Sequence, residues 1–277
     1  MPPAFDASEE KRAVVAASKA GFKEADEREP AEPQFESVNA HNRSNFKGAF
    51  IGTLEHWNYT AARVAFRSIA IEGPIGAGKT RLAERLAGRI EGTAVLEAVD
   101  NPFLTDFYNE RPGAALQAQL FFLLSRHRQL VNIRQADLFQ HTIVCDYVFD
   151  RDKIFAYLNL DDNELFIYQR LYDLLARDVP PPDLVIYLQA PTDVLIRRIR
   201  EKEDDPDRPV PAPDAGYLRE LNEAYQHFFF HYSSTPLLVV ETSEFDAETS
   251  DAALDDLVRQ IQGMGKGTRY YVPRTRS

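Results

Sequence analysis

The chain has 277 residues, a length that suits one large domain or two small ones. Apolar residues make up 44% and charged residues 27%, a globular balance that excludes a chain disordered throughout and a collagen-like repeat. With 43 acidic against 32 basic residues the formal net charge is −11. That charge argues against a surface built for nucleic acid, but leaves room for a local basic pocket holding a small anion.

The one cysteine, Cys145, excludes an internal disulfide and a cysteine-based zinc finger, and suits a reducing compartment. No apolar run approaches the roughly 20 residues that span a bilayer, and the N-terminus has no apolar signal core. Met1–Ala40 carries nine acidic and five basic residues, too acidic for a transit peptide. A cytoplasmic protein with no membrane or nucleic-acid partner is expected. Residues 1–45 read as a disordered polar arm, with room for a short helix over Glu9–Lys19. Residues 46–66 hold Phe46, Phe50, Ile51, Leu54, Trp57, Tyr59 and Phe66, an aromatic arm expected to pack on the following domain or on a partner.

From Arg67 onward, short apolar runs alternate with amphipathic patterns. Ser68–Glu72, Ala94–Leu96, Thr142–Asp146, Asp183–Gln189 and Leu237–Glu241 are predicted strands. Gly78–Ile90, Ala114–Ala136, Asp161–Ala176, Thr192–Glu201, Tyr217–Tyr232 and Ala252–Ile261 are predicted helices. The alternation predicts an α/β domain over residues 67–263, with a five-stranded parallel sheet flanked by helices in three layers. Gly263, Gly265 and Gly267 then release a stretch, 264–277, read as a flexible basic tail.

The strongest motif is Gly73-Pro74-Ile75-Gly76-Ala77-Gly78-Lys79-Thr80. It fits G-x-x-x-x-G-K-[ST] with a strand before it and a helix after it, and so specifies the P-loop NTPase type of this fold. Its glycines let backbone N–H groups curl around phosphate, and the helix N-terminus adds a positive dipole end. Lys79 is expected on the β- and γ-phosphates of ATP, and Thr80 on Mg²⁺.

Three further features narrow the chemistry. Glu97 follows the second strand directly, where parallel-sheet ligands sit and where a carboxylate can take a proton from an attacking hydroxyl. The competing role is a helix cap, which Asp100 fits better. Asp146 ends the third strand, where an acid can hold Mg²⁺ or its water; a turn aspartate is the alternative. Gln119 and Arg126 lie seven apart on one helix face, spaced to read the edge of a base, although spacing alone favours a solvated stripe. His227 and His231 are four apart, but no third metal ligand is evident.

Together, Gly73–Thr80, Glu97 with Asn101-Pro102-Phe103-Leu104 and Phe107-Tyr108, Gln119 with Arg126, and Pro182–Ala190 resemble the deoxynucleoside kinases. The resemblance is strongest to the bacterial deoxyadenosine/deoxyguanosine kinase branch and runs from about Arg67 to about Glu241. It implies ATP-dependent phosphorylation of a deoxynucleoside 5′-hydroxyl, with a purine expected from the branch, by a homodimer. Under it Glu97 is the general base, Tyr108 holds the sugar 3′-hydroxyl, and Gln119 and Arg126 read the base. Asp152 or Asp150, before Phe155, adds a base contact, and Arg198 is a lid arginine aimed at the transferred phosphoryl group. Three features depart from the family pattern, one being a Glu97-to-Asn101 stretch one residue shorter than usual. The family's acid-Arg-Ser triplet reads Asp146-Tyr147-Val148 here, with Arg151 the nearest replacement, and the lid from Arg198 to Arg208 carries five acids. These departures keep two other readings open: a kinase-like ATP-binding or assembly protein, and a nucleoside-monophosphate kinase such as a thymidylate kinase.

Overall fold

The structure, a computed structural model, describes residues 65–97, 100–135, 142–201, 213–244 and 250–273. These lie in a unit spanning Ala61–Ser277. The polar arm, the aromatic arm up to residue 64 and the acidic lid from residue 202 lie outside the described residues.

Six strands form one sheet: β1 (Ser68–Glu72), β2 (Thr93–Val95), β3 (Ile143–Cys145), β4 (Leu184–Gln189), β5 (Leu237–Glu241) and β6 (Thr268–Tyr271). Their order is β2-β3-β1-β4-β5-β6, and every pairing is parallel. The described helices are α1 (Lys79–Arg89), α2 (Leu104–Tyr108), α3 (Ala114–Gln135), α4 (Arg151–Asn159), α5 (Asp162–Leu175), α6 (Thr192–Arg200), α7 (Ala215–Phe230) and α8 (Asp251–Gln262).

The central strands are continuous apolar runs because both faces are covered, as parallel sheets require. Successive side chains alternate between the faces. Ile69 stands in register with Val144 and Leu184, and these pack with Leu82 and Leu86 of α1 and Leu254, Leu257 and Ile261 of α8. Ala70 stands in register with Cys145 and Val185 on the other face, where Cys145 packs with Val95, Ile143 and Leu130 of α3. Glu72 is two residues beyond Ala70 and shares that second face at the carboxyl edge of the sheet.

The sequence pattern predicts five strands, and the described residues form six. The additional one, β6, lies in the stretch read as a basic tail. It escapes an apolar pattern because three of its four residues are exposed and only Tyr271 is buried. Tyr271 joins the core cluster under α8, and its hydroxyl donates to Asp256 Oδ2 at 2.5 Å. Two short helices, α2 and α4, also stand where the sequence reading placed none. Tyr271→Ala should therefore destabilise the domain by about 2–4 kcal/mol through lost burial and a lost hydrogen bond. Urea unfolding measures this, and a loss near zero would mark 268–271 as a tail.

Candidate active site

The phosphate loop joins β1 to α1 by a tight path. Gly76 and Gly78 hold positive φ of 86° and 89°, a region that favours glycine. A Cβ on Gly73 would stand 2.7 Å from the Leu188 carbonyl oxygen, so the loop lies directly against β4. Three helices begin on side chains: Asp161 caps α5, Asp214 caps α7 and Ser250 caps α8. Helix α1 begins on Gly78 with no side-chain cap, which leaves its positive end to an anion. Lys79 Nζ donates to the carbonyls of Gly73 at 2.7 Å and Pro74 at 3.1 Å. Burial, assisted by nearby Arg151, brings its ammonium down to about 8.

Asp146, just beyond β3, ties this loop to the end of β2. Its Oδ2 accepts from Thr80 Oγ1 at 2.6 Å, and its Oδ1 accepts from the main-chain N–H of Glu97 at 2.7 Å. Glu97 is thereby held beside the phosphate loop. Arg126 of α3 donates from Nε to Glu97 Oε1 at 2.8 Å, and its Nη2 contacts the same oxygen. Arg151 of α4 donates from Nη1 to Glu97 Oε2 at 2.7 Å. Burial alone would raise the Glu97 carboxyl, but Arg151 and Arg126 outweigh it and bring it down to about 2. Oε1 has taken two N–H donors and Oε2 one, so Oε2 keeps a lone pair for a further donor.

Arg126 also pairs through Nη1 with Asp152 Oδ1 and lies over the Phe122 ring at 4.9 Å. Gln119 Nε2 donates to the Asp152 carbonyl at 2.9 Å, and Tyr168 donates to Asp152 Oδ2 at 2.9 Å. Burial pushes the Asp152 carboxyl up, against the pull of Arg126. Asp150 faces elsewhere, accepting from Tyr172 at 2.6 Å and Lys153 at 3.1 Å. Of the two aspartates the sequence left open, Asp152 is the one joined to Gln119 and Arg126. Phe155 lies under the Arg151 guanidinium at 5.2 Å.

Two further expected residues have their contacts on other elements. Tyr108 ends α2 with its ring 5.2 Å from Phe107. Arg198 donates from Nη1 to Thr242 Oγ1 at 3.3 Å and from Nη2 to the Thr242 carbonyl, beyond β5. Its helix α6 nevertheless packs on the loop, since a Cβ on Gly76 would meet Ile199 Cγ1 at 3.0 Å. In the altered triplet, Tyr147 is buried and its hydroxyl donates to Gln129 Oε1 at 2.8 Å. His231 Nδ1 and the His227 carbonyl oxygen lie 2.9 Å apart. Among the described residues no cluster of three or more His, Cys, Asp or Glu forms a cage for a metal.

Sequence reasoning missed Glu72, Tyr225 and Gln129. Glu72 is fully buried, and Tyr225 of α7 donates to it at 3.1 Å. Gln129 Nε2 donates to the Leu96 carbonyl at 2.8 Å and so steadies the chain before Glu97. An acid ending an apolar strand was the one available signal for Glu72; Tyr225 and Gln129 carry none.

A phosphate loop with an acid held beside it is the arrangement of a nucleoside-triphosphate-dependent phosphotransferase. A family model described as "Deoxynucleoside kinase" matches residues 69–264. Among curated proteins, the chain is 34% identical over 160 residues to a deoxyguanosine kinase of Bacillus subtilis (strain 168), covering 57% of this chain and 76% of that one. It is 33% identical over 183 residues to a deoxyadenosine kinase of Dictyostelium discoideum, covering 64% and 73% respectively. A solved structure of deoxyadenosine kinase from M. mycoides with bound dCTP superposes with a TM-score of 0.57 at 23% identity, covering 71% of this chain and 100% of that one. The chain belongs to the deoxynucleoside kinase family and is a kinase. The residues that carried the resemblance lie within this matched span.

The Lys79 ammonium generates a test. A bound triphosphate favours its charged form, so binding near pH 8 should take up a proton. ATP affinity should fall by up to about tenfold per unit above pH 8. Calorimetry at pH 8.5 in two buffers of different ionisation heat measures the uptake; none would contradict the lowered ammonium.

Proposed function

We propose that the chain transfers the γ-phosphoryl group of ATP to the 5′-hydroxyl of a deoxynucleoside, with a purine preferred. The hydrogen-bond chain Thr80–Asp146–Glu97 carries this reading, because it holds an acid beside the cradle of a triphosphate. The purine preference rests on the relatives named deoxyguanosine and deoxyadenosine kinase.

In this reading the phosphate-loop backbone from Gly73 to Thr80 and the Lys79 ammonium take the β- and γ-phosphates. The 5′-hydroxyl donates to Glu97 Oε2. A carboxylate near 2 is a poor base for an alcohol, so it orients the hydroxyl first and receives the proton late. That order suits phosphoryl transfer, whose loose transition state needs little nucleophile charge early. Gln119 keeps one N–H and its carbonyl oxygen after serving Asp152, a donor–acceptor pair that complements a purine edge. Arg126 and Asp152 frame that edge, Phe155 lines the recess, Tyr108 takes the 3′-hydroxyl, and Arg198 reaches the phosphates on leaving Thr242.

Thr80 and Asp146 present a hydroxyl and a carboxylate side by side, hard oxygen donors of the kind that suit Mg²⁺ with phosphate and water completing its shell. When bound there, Mg²⁺ supplies charge neutralisation to the triphosphate. The chain is proposed to act in the cytoplasm as a homodimer. Exposed Leu124 on α3 and Phe166, Ile167 and Leu174 on α5 form apolar surface on two helices that pack together, and a second copy would cover it.

ADP release in the presence of each deoxynucleoside, and of each monophosphate, tests the reaction. The wild type should turn over a purine deoxynucleoside, and Lys79→Ala should not. Glu97→Gln should lower kcat about 10²–10⁴-fold with little change in ATP KM. Preference for a monophosphate, or tight ATP binding without turnover, would favour the other readings. Sedimentation should show a dimer that Phe166→Glu converts to monomer.

A further inference from the structure

Glu72 and Arg151 have no part in the reaction outlined above, yet both are buried beside it. Glu72 ends β1 and precedes the phosphate loop. Its Oε1 accepts from Gly73 N–H at 2.9 Å and from the Tyr225 hydroxyl at 3.1 Å, and its Oε2 accepts from Val148 N–H at 3.1 Å. One carboxylate thus fixes the first residue of the loop, the chain leaving β3 and the middle of α7.

Arg151 Nε lies 3.8 Å from Glu72 Oε1, and its Nη1 donates to Glu97 Oε2 at 2.7 Å. It therefore joins the acid at the root of the phosphate loop to the acid beside the loop. Its hydrogen bonding is incomplete: a guanidinium carries five N–H donors, and Nε is buried with no hydrogen-bond partner. Glu72 and Glu97 both hold its charge, but the buried Nε–H without an acceptor leaves hydrogen-bonding capacity unspent. Arg126 differs, since its Nε, Nη1 and Nη2 all donate to Glu97 or Asp152. Through Glu97, which Asp146 ties to Thr80, Arg151 stands beside the phosphate loop.

We infer that Arg151 is the cation that meets the phosphoryl group as it passes to the hydroxyl held by Glu97, and that Glu72 is a positioning residue that aims it. The inference rests on the kinase reading. Charge develops on the equatorial oxygens of the transferred group, and a guanidinium against them is worth roughly 10³-fold or more. The residue after Asp146, Tyr147, is buried against Gln129 and supplies no cation. Arg151, one helical turn on in α4, brings the charge from a different element, with Glu72 as its anchor.

Steady-state kinetics on the full chain tests this. Arg151→Ala should lower kcat about 10²–10³-fold with ATP KM changed less than about threefold. Guanidinium added in the millimolar range should restore part of the lost turnover to Arg151→Ala and none to Lys79→Ala. Arg151→Lys, which keeps the charge but not the fork, should fall between the two and keeps the test open if the alanine variant does not fold. Glu72→Gln should lower kcat about tenfold or more, with ATP KM again little changed and no guanidinium rescue. Wild-type turnover with Arg151→Ala and Arg151→Lys both within threefold of it in kcat would overturn the inference and leave the kinase reading standing. Absence of wild-type turnover would instead overturn the kinase reading itself.

Discussion

Charges taken out of water must satisfy one another, and the carboxyl edge of this sheet is built under that constraint. Glu72, Glu97, Asp146 and Asp152 meet Lys79, Arg126 and Arg151 within a small volume that solvent barely reaches. An unpaired ion there would cost several kcal/mol, so each position is set by its neighbours. Glu97 is held by main chain from Asp146 and by side chains from α3 and α4. On the proposed reading, the geometry that phosphoryl transfer needs exists before a substrate enters, which is where such sites gain most of their rate.

The same constraint decides what Glu97 is suited to do. Two guanidinium groups keep it ionised far below neutrality, and this weakens it as a base. An enzyme relying on early deprotonation of an alcohol would be badly served. One relying on placement of the hydroxyl, with charge stabilised on the phosphoryl group, is well served. The electrostatics thus favour a division of labour in which the acid orients and the cations carry the barrier reduction.

The fold makes this arrangement economical. Parallel strands deliver their following residues to a single edge, and β1, β2 and β3 deliver the phosphate loop, Glu97 and Asp146 there in turn. Helix α3 runs past that edge for 22 residues and can present Gln119, Arg126 and Gln129 to three different partners. The core beneath, from Ile69 and Ile186 to Leu86 and Leu257, fixes the strand ends, so a shift of the sheet register would break the site before it broke the core.

Much of this was legible in the residues themselves. The phosphate loop is local: eight consecutive positions specify its turn, its glycines and its lysine, and no distant contact is needed to recognise them. The buried strands and long helices follow from apolar periodicity, and Glu97 and Asp146 from standing at strand ends. The rest depended on residues far apart in sequence. Strand β6 shows little apolar pattern because only Tyr271 turns inward. Arg126 and Asp152, read separately, are a helix-face arginine and one of two neighbouring aspartates; only the packing of α3 on α4 joins them and turns Asp150 away. Glu72 reads as the last residue of a strand until β3, α4 and α7 close over it. Local sequence determined the phosphate-loop conformation, because backbone conformation is a local property. Tertiary structure alone decided which charges face one another, because pairing across a buried edge depends on which elements the core brings together.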